Sequence, residues 1–159
     1  MDVIRLTEAQ WQAYAALRLR ALADSPGTGD RQYREEAQFT EPEWRRRLRV
    51  HAQFAVTGPA QQLIGLIGAQ RADARTVYLY ALWTDPAQRR HGVARSLVAA
   101  AVQWARFHGA ELVNLRVAQT NAAAIAVYRD AGFTTERNEN HVPAGELRMS
   151  LSLCPRSGR

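Results

Sequence analysis

Residues 77–84 read Val-Tyr-Leu-Tyr-Ala-Leu-Trp-Thr, a run that no charged side chain interrupts and whose two alternating faces both carry large apolar or aromatic groups. A strand with one wet face alternates polar and apolar, so this one belongs inside a sheet, covered on both sides. The residues that follow supply the cover. After a loop at Asp85 to His91, the residues Val93, Leu97, Ala101, Trp104 and Ala105 fall on one stripe of a long helix, and Gly109 supplies its stop. A strand at Glu111 to Val117 comes next, then a helix from about Asn121 to Ala131 that ends at Gly132. Strands near Phe133–Arg137 and Leu147–Leu153 finish the chain. Strand and helix in alternation predict a mixed sheet with helices on its faces.

The first half adds the rest of that sheet. Val3 to Leu6 reads as a short strand, and Thr7 with Gln10 three positions on forms a capping box that opens a helix through Trp11, Tyr14, Leu17, Ala21 and Leu22. The turn residues Ser25-Pro26-Gly27 stop it, and residues 25–40 read as a polar loop. A second capping box, Thr40 with Glu43, starts a helix through Trp44 and Leu48. Two apolar runs, His51 to Thr57 and Leu63 to Ala69, flank Gly58-Pro59-Ala60 and predict a hairpin. A length of 159 residues suits one domain over 1–159.

Composition narrows the partners. With 47% hydrophobic residues the chain should fold. No apolar run approaches the ~18 residues of a membrane span, and the opening residues lack a secretory pattern, so the expected place is the cytoplasm, with no membrane partner. Cys154 has no second cysteine, which excludes an intrachain disulfide and a cysteine-based zinc site. His51, His91, His108 and His141 show no metal-binding spacing, and no metal is expected. All 21 basic residues are arginines and the net charge is +6, which points to an anionic ligand rich in phosphate. The run Arg45 to Arg49 reads as a solvated helix face, because it lacks the interleaved aromatics of a nucleic-acid binder.

The local feature with the most chemistry is Arg89-Arg90-His91-Gly92-Val93-Ala94, between the buried strand and the long helix. A helix N-terminus presents unpaired N–H groups and a partial positive charge to phosphate oxygens. Gly92 permits close backbone approach, Ala94 is small, and Arg89, Arg90 and Arg95 can add charge-assisted bonds. A solvated turn is the alternative reading.

Arg89, Gly92 and Ala94 match the Arg/Gln-x-x-Gly-x-Gly/Ala signature of the general N-acetyltransferase superfamily, which the chain resembles. Leu79 to Pro86 is similar to the family's strand leading into that loop. Asn121, Ala126, Val127, Tyr128, Gly132 and Phe133 are similar to its later Asn…Ala-x-x-x-Tyr…Gly-Phe motif. The resemblance covers 77–133. It implies an α/β (α+β) fold, with a mixed, mostly antiparallel sheet of six or seven strands splayed between the fourth and fifth and flanked by about four helices. It further implies acetyl-CoA as cosubstrate, with pantetheine along Leu82, Trp83 and Thr84, pyrophosphate on the loop from Arg89 through Val93 to Arg95, and Asn121 nearby. Tyr128 would face the departing sulfur, and a backbone N–H near Thr84 would receive the developing oxyanion. Arg90 and His91 are bulkier than the residues many relatives carry there. Tyr78 stands near the position where some members have a glutamate base.

The resemblance leads to an N-acetyltransferase acting on a primary amine of a small molecule or peptide, as a monomer or a homodimer. A non-catalytic acyl-CoA sensor of the same fold and, further off, a nucleic-acid-binding module are the rivals. The acceptor is read from charge. Asp24, Asp30, Glu35, Glu36, Glu41 and Glu43 crowd residues 24–43 against Arg31 and Arg34 alone, which would draw in a cationic amine, with Glu35 and Glu36 as the contacts. His141 is a candidate proton relay, with an ordinary surface histidine as the alternative.

Overall fold

The computed structural model describes residues 2–136 and 142–153. His141, Cys154 and Arg137 lie outside the described residues. The elements in chain order are β1 (Asp2–Arg5), α1 (Trp11–Leu22), α2 (Arg31–Glu36), α3 (Glu41–Val50), β2 (Ala52–Thr57), β3 (Leu63–Arg71) and β4 (Thr76–Thr84). There follow α4 (Val93–Phe107), β5 (Leu112–Ala118), α5 (Ala122–Asp130), β6 (Thr134–Thr135) and β7 (Glu146–Ser152). One sheet takes the strand order β1-β2-β3-β4-β5-β7-β6. Every neighbouring pair is antiparallel except β4 and β5, which the α4 crossover makes parallel. The strand that reads as internal from its sequence is the fourth of seven.

Both capping boxes form, Thr7 with Gln10 and Thr40 with Glu43. The polar loop expected over 25–40 instead contains α2. Asp30 caps this helix by accepting from the Gln32 N–H at 2.9 Å. With six residues and only Glu36 buried, α2 has no apolar stripe for a periodicity argument to detect.

The sheet separates two apolar clusters. On one face α4 lays Val93, Leu97, Val98, Ala101 and Ala105 onto Phe54, Ile67, Leu79 and Leu115. On the other, Tyr14, Leu17 and Ala21 of α1 and Trp44 and Leu48 of α3 cover Ala55, Leu66 and Trp83. Leu97 is fully buried, and truncating such a side chain to alanine typically costs ~2–5 kcal/mol. The second cluster draws strand residues from β2, β3 and β4 and none from β5 or β7. On that face β5 and β7 present Asn114, Arg116, Glu146, Arg148 and Ser150, which the register sets in two facing rows. No described helix is long and apolar enough to cross a membrane.

Tyr80 shows why β3 needs a glycine. A Cβ on Gly68 would lie 2.5 Å from the Tyr80 ring. Without it the ring lies across β3, and its hydroxyl reaches Gln53 of β2, whose Nε2 donates to it at 2.6 Å, and His51 just before that strand, whose Nδ1 lies 2.6 Å away. Burial, with Arg47 and Arg46 nearby, lowers the His51 pKa below its ordinary value.

Candidate active site

The β4–β5 ladder begins at Thr76 opposite Leu112 and stops at Leu79 opposite Leu115. Beyond it β5 continues along β7 as far as Ala118 opposite Glu146, while β4 runs on to Thr84 beside β3 alone. The strands part at a bulge. The β3–β4 register slips between Leu66 and Gly68, and Ala81 takes φ 60, a left-handed conformation rare for a residue with a side chain. The edge of β4 from Tyr80 to Thr84 on the β5 side therefore has no strand opposite it, and the peptide groups that point there, the Thr84 carbonyl excepted, are open to a ligand.

A cleft of about 1050 Å³ passes through this gap. Its floor is Ala81, Leu82, Trp83 and Thr84, one wall is Arg18, Ala21, Asp24 and Ser25, and the other is formed by the N-terminal turns of α4 and α5. Of the residues that the sequence singles out, Leu82, Trp83, Thr84, Arg89, Arg90, Gly92, Val93, Ala94, Arg95 and Asn121 line it. His91 and Tyr128 do not. Tyr128 is buried and edge-on to Phe133 at 5.7 Å, while its helix neighbours Val127 and Ala124 reach the lining. Burial, reinforced by the nearby Tyr78 phenol, pushes the Tyr128 hydroxyl pKa well above its ordinary value.

Arg89 ties the loop to the end of β4 and to the segment that follows α1. Arg89 donates through Nε to the Thr84 carbonyl at 3.1 Å and through Nη2 to Asp24 Oδ2 at 3.0 Å, and Trp83 Nε1 donates to the same oxygen at 2.9 Å. The Thr84 carbonyl is thereby occupied, and the backbone irregularity lies three residues earlier, at Ala81, rather than near Thr84. Arg90 at φ 71 and Gly92 at φ 79 both adopt left-handed backbone, and Gly92 starts α4 without any side-chain cap. The N–H groups of Val93, Ala94 and Arg95 precede the first intrahelical acceptor bond, from Ser96 N to Gly92 O at 3.1 Å. Nothing lies within 4 Å of where a Gly92 Cβ would stand. Arg89 is paired with Asp24 and Arg95 with Asp130, which leaves Arg90 as the one of the three arginines without an ion pair among the described residues; free backbone donors, open space and this cationic rim fit a phosphate group. Asn121 caps α5 by accepting from the Ala124 N–H at 3.1 Å.

Glu35 and Glu36 are not together and neither lines the cleft, which removes the geometric basis for their expected contact with an amine. Glu35 is exposed and paired with Arg31 one turn away. Glu36 is 3% exposed and accepts four hydrogen bonds: from Arg18 Nε at 3.0 Å and Nη2 at 3.1 Å, Gln32 Nε2 at 3.0 Å and Arg47 Nη1 at 2.7 Å. Its charge is consumed in joining α1, α2 and α3. Arg47 likewise leaves the expected solvated face, and Arg45 and Arg49 pair with Glu41 and Glu8.

Arg18 and Ala81 are cleft residues that the sequence reading singles out for no role, and Asp24, counted there only among the acids of 24–43, is a third whose part as a clasp for Trp83 and Arg89 is not read from it. Arg18 carried a signal, since it sits four residues after Tyr14 and three before Ala21, a charge inside the apolar stripe of α1. The clasp at Asp24 and the bulge at Ala81 carried none, because they depend on partners and strands remote in sequence.

Comparison with known proteins agrees with this geometry. Residues 11–133 match the family model described as acetyltransferase (GNAT) family. A mycothiol acetyltransferase from Thermobispora bispora is 30% identical over 134 residues, 77% of this chain and 42% of that one. The chain thus spans about two fifths of the length of this curated relative. Among solved structures, the acetyltransferase of GNAT family from Streptococcus pneumoniae superposes with a TM-score of 0.79 at 15% identity, covering 96% of this chain and 99% of that one. The PaiA N-acetyltransferase from Thermoplasma acidophilum, solved in complex with coenzyme A, gives 0.74 at 14% identity, covering 95% and 98%. At such identities the two structures show a shared fold.

Proposed function

Because the chain belongs to the acetyltransferase (GNAT) family, we propose that it transfers an acetyl group from acetyl-CoA to a primary amine of a small molecule or peptide by direct attack. The observation that carries this reading is the cleft through the sheet, open where β4 leaves β5 and ending on an uncapped helix N-terminus ringed by Arg89, Arg90 and Arg95. Bound acetyl-CoA would supply the acetyl group activated as a thioester.

The chain's own residues then have separate tasks. The N-terminal N–H groups of α4 and the loop arginines hold phosphate, and the free edge of β4 offers peptide groups to an extended amide chain. A backbone N–H at the Ala81 bulge is the candidate donor to the oxygen that gains negative charge as nitrogen attacks, a role worth ~3–4 kcal/mol when such a donor is fixed in advance. As the new C–N bond forms and the C–S bond breaks, the nitrogen loses a proton and the sulfur leaves as thiolate. Tyr128 is the candidate hydrogen-bond donor to that sulfur on the family resemblance alone, since its ring is buried outside the described lining and its hydroxyl must turn into the cleft to reach it. A phenol is ~1.5 pKa units weaker as an acid than a thiol even before burial, so stabilisation rather than full proton transfer is its main contribution.

Asp24 is the one carboxylate in the described lining, and Trp83 and Arg89 occupy it. An acceptor with pKa near ~10.4 must therefore lose its proton before attack without a free acid group beside it. The rate should rise with pH through the neutral range. The deciding experiment measures thiol release from acetyl-CoA across a broad amine panel. Amine-dependent release supports the enzyme. Thermal stabilisation by CoA with no release from any amine refutes it in favour of an acyl-CoA sensor.

A further inference from the structure

The polar face of β5 and β7 lies beside the point where the strands part. Arg116 is the first β5 residue after Leu115, the last that pairs with β4, and its guanidinium sits 6.0 Å from the Tyr78 ring. Arg148 on β7 is directly opposite Arg116 in the register, so both side chains leave the same face of the sheet. Like charges set opposite each other across strands are destabilising unless something lies between them.

One carboxylate, Glu146, shares this face; its Oε1 is itself buried without a hydrogen bond, so it balances at most one of the two arginines. Arg116 makes a long contact from Nε to the Tyr78 hydroxyl, 3.4 Å, and an ion pair with Glu146 at 3.9 Å. Glu136 donates its backbone N–H to the Arg148 carbonyl at 2.9 Å, yet no ion pair joins its carboxylate to the Arg148 guanidinium. Among the described residues the Arg148 guanidinium has no hydrogen bond, and its Nε is buried without a partner. A buried donor left unpaired costs ~1–3 kcal/mol, more when it is charged. Two arginine forks from neighbouring strands, one of them unpartnered, suit a planar anion that can accept from both.

From this juxtaposition we infer that Arg116 and Arg148 bind a carboxylate carried by the acceptor, so that the preferred substrate is an amino acid or a similar amine bearing a carboxylate. The inference rests on the acetyl-transfer reading and narrows its acceptor. It replaces the acidic lure: Glu36 is already saturated, chiefly by arginines, whereas Arg148 keeps a buried Nε with no hydrogen-bond partner among the described residues. A phosphate-bearing amine would offer a tetrahedral anion in place of a planar one and is the alternative that the test must separate.

Two readouts test it. Alanine, 4-aminobutanoate and their amides are compared as acceptors, with aminoethyl phosphate as a further arm, in the parent protein and in the Arg148→Gln and Arg116→Gln variants. Each acid should exceed its amide in kcat/KM by roughly 10- to 100-fold, the range expected for lost charge-assisted bonds, and the ratio should fall to about 1 in Arg148→Gln. Independently of turnover, the acids should raise the Tm of the parent in the presence of CoA and leave that of Arg148→Gln unchanged. Equal rates for acid and amide, a preference that survives both substitutions, or a stronger preference for aminoethyl phosphate overturns the carboxylate site. CoA binding without turnover of any amine overturns the transferase reading. In that case a Tm rise from the acids that is lost in Arg148→Gln still upholds the site, and no rise refutes it.

Discussion

Replacing Glu36 by glutamine tests whether the α1–α2–α3 joint is held by charge. The carboxylate is 3% exposed and takes four hydrogen bonds, three of them from the guanidiniums of Arg18 and Arg47. An amide of the same shape keeps one acceptor oxygen and turns an NH₂ toward arginine donors. At least one charge-assisted bond is lost, and Arg18, itself 6% exposed, is left buried beside a neutral group. Breaking a buried pair in this way costs about 3–5 kcal/mol, a large share of the ~5–15 kcal/mol that holds a typical domain folded. For a chain of this size that lowers Tm by roughly 6–20 °C.

The pH dependence follows from the same contacts. Burial alone would push the Glu36 carboxyl up, but Arg18 and Arg47 more than reverse this and hold it below its ordinary value in the folded chain. Its stabilising effect is therefore fully present above the unfolded-chain pKa of ~4.3 and is lost as pH falls through the folded value. Urea denaturation of parent and Glu36→Gln should differ most near pH 7, with the gap closing below about pH 4. A difference under about 0.5 kcal/mol at pH 7, or one that acid leaves unchanged, would refute the reasoning. Because Arg18 also lines the cleft, the variant should raise KM for all acceptors alike, whereas an acidic lure would penalise cationic ones selectively.

Gly92→Ala meets no steric obstacle but must hold φ 79, so it should cost ~1–2 kcal/mol of local strain and weaken CoA binding roughly tenfold by calorimetry, with helix content by circular dichroism unchanged. Gly68→Ala drives a methyl group into the Tyr80 ring; a loss of ~1–3 kcal/mol in denaturant melts is expected, and a stability within error of the parent would show that the ring can move aside freely. Tyr128→Phe should lower kcat by about 10- to 1000-fold while CoA affinity stays constant, and parental turnover would reduce Tyr128 to packing. Since burial raises the Tyr128 pKa, the parent's rate should show no alkaline limb from this phenol up to pH ~9.5.

Features legible in the sequence are those whose cause lies within a few residues. The capping boxes at Thr7 and Thr40 join side chains three positions apart, and α4 shows its buried stripe because helical geometry repeats every 3.6 residues. Gly92 at the start of α4 needs only its own backbone to be recognised. The internal place of β4 could be read from its lack of a polar face. What only the tertiary structure decided depends on partners that chain topology brings together. Arg18 meets Glu36 across 18 positions and Asp24 meets Arg89 across 65, so a cluster of acids that reads as a charged surface becomes a buried joint and a loop clasp. Ala81 bulges because β3 pairs with β4 out of step, and Arg116 faces Arg148 because β5 lies beside β7. Periodicity records which face of an element is buried, but it holds no record of which other element buries it; that pairing fixes both the cleft and the charge around it.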